Sequence, residues 1–99
     1  MKKLMSQPEI INKIFHPSEL KRFESEHLGG IFAVKESTFK ALGIKSNSWL
    51  LIEIIHTNEG KPVLVLSKDL NLSKIISTDC SISHDGNYVF AIVTVLQEN

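Results

Sequence analysis

The sequence predicts an α+β fold, with N-terminal helices packed on an antiparallel sheet. Two observations predict it. Apolar residues recur at helical spacing as far as Leu42, and from Trp49 onward they gather in short runs rich in isoleucine and valine. Turn residues separate those runs: Thr57-Asn58-Glu59-Gly60, and later His84-Asp85-Gly86-Asn87. Helices first and hairpin-linked strands after them make an α+β pattern.

Ile10, Ile11, Ile14 and Phe15 form a short helical face. His16-Pro17-Ser18-Glu19 restarts a helix, because proline suits a first helical position, where its missing N–H costs nothing. Leu20 and Phe23 are the expected buried side, with Lys21, Arg22, Glu24 and Glu26 in water. Leu28, Ile31, Phe32, Phe39 and Leu42 line one face of the next helix, and Gly43 stands where a left-handed cap is expected. Gly29-Gly30 costs that helix about 1 kcal/mol per glycine relative to alanine. The usual compensation is close approach of another backbone or of a ligand.

Trp49 to Ile55 reads as a buried strand, and Pro62 to Leu66 as its hairpin partner. Ser67 to Ile76 reads as one or two helical turns or a loop. Cys80 to Ser83 is a further strand, and Tyr88 to Leu96 is a long, apolar closing strand.

The 99 residues suit one domain spanning 1–99. Hydrophobic content is 42% and formal net charge is zero, so composition alone draws the chain neither to nucleic acid nor to an anionic membrane. Any phosphate site must be local. Cys80 is the single cysteine, which rules out an intramolecular disulfide and a thiolate zinc cluster; a buried structural thiol is its expected role. No apolar run of signal-peptide length follows the basic Met1–Met5, and none reaches the ~20 residues a membrane helix needs. The expected location is the cytoplasm.

Phe32, Glu36 and Lys40 stand at i, i+4 and i+8 and share one helical stripe. The plain reading of Glu36 and Lys40 is a surface ion pair worth ~0.3 kcal/mol. Lys35 falls on or beside the apolar face, which is unusual. A carboxylate beside a lysine on a rigid element suits a magnesium–phosphate site. Magnesium takes one or two carboxylates plus substrate oxygens, and lysine adds point charge.

The spelling of this segment is more specific than its spacing. Phe32-Ala-Val-Lys-Glu-Ser-Thr-Phe-Lys-Ala-Leu-Gly43 resembles the Lys-Glu helix of 4′-phosphopantetheinyl transferases of the holo-acyl-carrier-protein synthase class. Four further segments resemble that family in order: Ile14-Phe15-His16-Pro17-Ser18-Glu19-Leu20, Ile52-Glu53-Ile54, Gly60-Lys61-Pro62 and Ser81-Ile82-Ser83-His84. The resemblance implies transfer of 4′-phosphopantetheine from coenzyme A to a serine of an apo acyl or peptidyl carrier protein, with magnesium. It implies Glu36 as the metal ligand and Lys40 on the coenzyme A phosphates. It places Lys61 and Pro62 near the nucleotide, and Ser83 and His84 against coenzyme A from a neighbouring subunit of a homo-oligomer, a trimer in this class.

The family's opening strand carries an aspartate as second magnesium ligand, and Met1 to Gln7 holds no acidic residue. The expectation is that this carboxylate is absent or supplied by another chain; Glu53 reads as a solvated edge residue of its strand or, alternatively, as a second carboxylate that partly replaces it. The competing reading is a non-catalytic carrier-protein or coenzyme A binding module, or one half of a hetero-oligomeric transferase. A purely structural oligomeric domain ranks last. His84 has a plainer role open to it, as a turn histidine beside Asp85. His56 reads as a strand-end residue, His16 as a helix cap, and His27 as structural or exposed.

Overall fold

The computed structural model describes residues 8–20, 25–45, 48–70 and 72–98. Helix α1 is Pro8–Ile14, α2 is the short Pro17–Leu20, and α3 is Ser25–Leu42. Lys21, Arg22, Phe23 and Glu24, and the side chains of Glu26 and His27, lie outside the described residues. Among the described residues no helix is long and apolar enough to cross a membrane.

Helix α3 is the spine of the molecule. Leu28, Ile31, Val34 and Phe39 are fully buried, and Phe32 and Leu42 are half-buried. The predicted apolar stripe is therefore its inward face. The helix runs straight through Gly29-Gly30. A Cβ on Gly30 would stand 2.9 Å from Ile82 Cγ2, so the missing side chain lets a strand pass against the helix. The other end closes as expected. Gly43 takes φ +70°, the Gly43 N–H donates to Lys40 O at 3.2 Å and the Ile44 N–H to Phe39 O at 3.1 Å. These two bonds are those of a Schellman cap.

Trp49–Leu51 forms a 3-10 turn instead of the predicted start of a strand. The cause is aromatic packing on α3. The Trp49 ring stacks on Phe32 at 5.1 Å and meets Phe39 edge-on at 5.0 Å. The strand therefore begins three residues later than the apolar run does. Strand β1 (Ile52–His56) pairs antiparallel with β2 (Pro62–Leu66). Ile52 and Ile54 are buried, and their partners Leu66 and Leu64 pack on the same core.

Lys68–Leu70 is one 3-10 turn within the predicted helix or loop. Strand β3 (Ile75–Asp85) then pairs antiparallel with β4 (Tyr88–Gln97) along almost its whole length. Strand β3 is much longer than the four residues predicted for it, Cys80 to Ser83. Ser77, Asp79, Ser81 and Ser83 lie on its outward face, where polar residues are at home. Helix α3 lies across the inner face of this hairpin, and β3 runs beside β2. Cys80 is buried there, its thiol 3.7 Å from Pro62 O. Burial pushes that thiol above its ordinary pKa, so it stays protonated and inert.

Strand β4 alternates apolar with apolar. Its inward row, including Ala91 and Val93, packs on the core. Its outward row has Tyr88, Phe90, Ile92 and Leu96 between 59% and 71% exposed.

Candidate functional site

Helix α3 turns two neighbouring motif residues in opposite senses. Glu36 is exposed, and Lys40 is exposed one turn further on. Lys35 is 0% exposed. Its Nζ donates to Ile14 O at 2.6 Å, Glu19 Oε1 at 2.8 Å and Trp49 O at 3.2 Å, with the Phe15 ring centroid 5.6 Å away. Three acceptors use all three ammonium protons. Lys35 is therefore not a phosphate ligand, and Lys40 is the motif lysine that can reach one.

Glu19, 2% exposed, is equally saturated. Besides Lys35, Oε1 accepts the His16 N–H at 2.7 Å, and Oε2 accepts the Ile54 N–H at 2.8 Å. Burial pulls the Lys35 ammonium below the ordinary lysine value, and the carboxylates of Glu19 and Glu53 pull it back. Sequence reasoning passed over Glu19. Its signal was the capping position: a glutamate three residues after His16, the residue just before α2, reaches back to that residue's N–H. His16 acts as the expected cap, and its Nε2–H donates to Leu50 O at 2.6 Å.

The remaining predicted site residues are spread over both hairpins. Lys61 is exposed at the end of the β1–β2 turn, and Pro62 opens β2 half-buried. Ser83 and His84 are adjacent in β3 and so face opposite sides of it. Ser83 pairs with Phe90, whose outward row it shares, and His84 pairs with Val89. The His84 ring comes back against α3, where a Cβ on Gly30 would sit 3.5 Å from Cε1 and Nε2. His84 thus belongs to the helix side, and Ser83 to the exposed apolar side.

Gly30 is consequently a position with a measurable effect. Alanine there would gain about 1 kcal/mol of helix propensity and lose about 1–3 kcal/mol by crowding Ile82. Gly30→Ala should lower unfolding stability by about 1 kcal/mol net. It should also shift the His84 ring resonances in a proton–carbon NMR spectrum. Unmoved resonances would show that the ring is not held there.

Among the described residues no three histidine, cysteine or carboxylate side chains converge as a metal cluster. Glu53 is half-buried and accepts the Ser18 hydroxyl at 2.5 Å. Glu36 is an exposed carboxylate on the motif helix. An open cleft of about 600 Å³ lies between α1 and the Trp49–Leu51 turn, lined by Ile10, Lys13 and Trp49 among others. None of the predicted site residues lines it.

Residues 2–93 match the model of the 4′-phosphopantetheinyl transferase superfamily. The holo-[acyl-carrier-protein] synthase of Nautilia profundicola is 39% identical over 102 residues, covering 90% of this chain and 88% of that one. That of Finegoldia magna is 33% identical over 106 residues, covering 100% of this chain and 88% of that one. Among solved structures, Helicobacter pylori holo-[acyl-carrier-protein] synthase in complex with coenzyme A superposes with a TM-score of 0.81. It is 30% identical, with 96% of this chain and 92% of that one covered. Sequence and structure thus agree over nearly the whole length, and the chain belongs to the 4′-phosphopantetheinyl transferase superfamily.

Proposed function

We propose that this chain transfers the 4′-phosphopantetheine arm of coenzyme A to a serine of an acyl or peptidyl carrier protein, with magnesium, in the cytoplasm. Its similarity to holo-[acyl-carrier-protein] synthases along almost its full length carries this reading. The outward placing of Glu36 and Lys40 on α3 supports it.

The donor set fits magnesium in one particular way. Glu36 by itself does not make a closed cage, but magnesium commonly binds through one or two carboxylates plus substrate phosphates and water. Glu36 would give the carboxylate oxygen, and the coenzyme A pyrophosphate the rest. The ion would supply charge neutralisation at the phosphoryl centre. Lys40, one turn along the same face, would hold a phosphate oxygen by point charge. Lys61 and Pro62 would flank the nucleotide.

In the reaction, the carrier serine oxygen attacks the phosphorus nearer the pantetheine. The bond from that phosphorus to the bridging oxygen breaks, and the nucleotide leaves with the electron pair. The serine proton passes to a base. Such a transfer needs positioning and electrostatic support more than covalent help from the protein.

We infer an oligomer from β4. Four large apolar side chains, all more than half exposed, line one face of this strand, the kind of exposed apolar row that marks a contact surface. We assign it to contact between copies, a trimer by family habit. Ser83 shares the outward face with Phe90, so covering this row would bring Ser83 to a subunit boundary. Phe90→Glu is expected to give a monomer by light scattering and to lose transfer activity. An oligomer unchanged in mass would remove β4 from the interface.

The deciding experiment mixes the protein with magnesium, coenzyme A and several apo carrier proteins, then weighs the carriers. A phosphopantetheine mass gain is expected, and it should vanish with a chelator. Thermal stabilisation by coenzyme A without any mass gain would leave a binding module instead.

A further inference from the structure

We propose that the buried Lys35–Glu19 pair is a positioning device for Glu36 and Lys40, holding α3 at one rotation and one height against the β1–β2 hairpin. The inference rests on the transferase reading above. Two observations carry it.

The first is what the pair joins. Lys35 Nζ binds the last residue of α1, the glutamate of α2 and the carbonyl of Trp49. Glu19 passes the connection on to the Ile54 N–H in β1. One ammonium and one carboxylate therefore tie α1, α2, α3, the Trp49 turn and β1 to a common point. Every one of these bonds is directional, unlike the apolar contacts around them. An apolar face resists separation of a helix from its neighbours but tolerates small rotations and slides.

The second is where the pair sits relative to the site. Lys35 is the residue before Glu36 in the chain. A helix rotates about 100° per residue, so fixing Lys35 inward at 0% exposure fixes Glu36 outward. Lys40 follows on the Glu36 stripe one turn later. A small rotation of α3 would carry both charges away from the phosphates together. Supporting residues that hold a ligand side chain in place typically change metal affinity by about 10–100-fold when altered.

The experiment separates position from stability. Glu19→Asp keeps the charge but shortens the reach, so Lys35 and the Ile54 N–H cannot both be satisfied. Val34→Ala, a buried change on the same helix that removes only apolar atoms, is the control destabilised for a different reason. Both are compared with the unmodified chain at a temperature where all are folded. The readouts are manganese binding in the presence of coenzyme A, by electron paramagnetic resonance, and the magnesium concentration giving half-maximal transfer.

Glu19→Asp should weaken manganese binding about tenfold or more and raise the magnesium requirement by a like factor, while Val34→Ala stays within twofold of the unmodified chain. Equal behaviour of the two variants would overturn the proposal. Lys35→Arg is read in the same way if Glu19→Asp does not fold. Failure of both to fold, while Val34→Ala folds, would assign the pair to structure alone. An unmodified chain that binds no manganese with coenzyme A and modifies no carrier would overturn the transferase reading itself. A chain that transfers normally with indifferent variants would overturn only this inference.

Discussion

Lys35→Met is expected to lower the unfolding free energy by about 3–5 kcal/mol. That is a large part of the roughly 5–15 kcal/mol available to a small domain. Methionine matches lysine closely in length, so packing is nearly kept. The cost is electrostatic. Glu19 would remain 2% exposed with its charge and without its counter-ion, and the Ile14 carbonyl would lose the lysine donor, while the Trp49 carbonyl would keep the Ile52 N–H. Urea denaturation measures this directly, as a lower midpoint at constant slope. Adding Glu19→Gln should recover part of the loss, because the unpaired charge goes. It should not recover all of it, since buried groups left without partners cost about 1–3 kcal/mol each. A loss under about 1 kcal/mol for Lys35→Met would mean that water reaches the site and screens the pair.

Glu36→Gln is expected to act in the opposite way, on rate and not on stability. Glu36 is exposed, so the melting temperature should stay within a degree or two. The amide keeps the shape and removes the charge that would face magnesium. Loss of one well-placed electrostatic group typically costs about 10²–10³ in turnover. Transfer should fall by that factor, and coenzyme A should bind no better with magnesium than without it. The check is a titration of rate and of coenzyme A affinity against magnesium. A variant with full activity at the same magnesium concentration would remove Glu36 from the metal.

The two halves of the chain were not equally legible. Helix α3, its inward face and its cap at Gly43 could be read because period and cap are local properties, visible in consecutive residues. The hairpin from Ile52 to Leu66 was legible for the same reason, once its turn residues were seen. The Trp49 turn was not, since an apolar run does not distinguish a strand from a segment pinned by Phe32 and Phe39, far back in the chain. The length of β3 was also hidden, because serines and an aspartate alternate with its inward residues and no apolar run announces it.

Within the candidate site, Glu36 and Lys40 could be picked out, but the role of Lys35 could not. A lysine in a motif beside a glutamate suggests a ligand contact. Only its three acceptors, contributed by residues 14, 19 and 49, reveal the opposite direction. Ser83 and His84 looked like one unit in sequence. The pleat of β3 separates them, a consequence of strand period that no motif spells out.

Under the proposed contact between copies, the outward row of β4 would make concentration a variable of the protein's condition. A chain that covers Tyr88, Phe90, Ile92 and Leu96 with copies of itself gains folding free energy by mass action, so its melting temperature climbs as protomer is added. Dilution would then expose the row again and withdraw that gain. The amount of working protein would fall faster than the amount of chain, and a dilute assay would understate what a crowded solution of the same protein does.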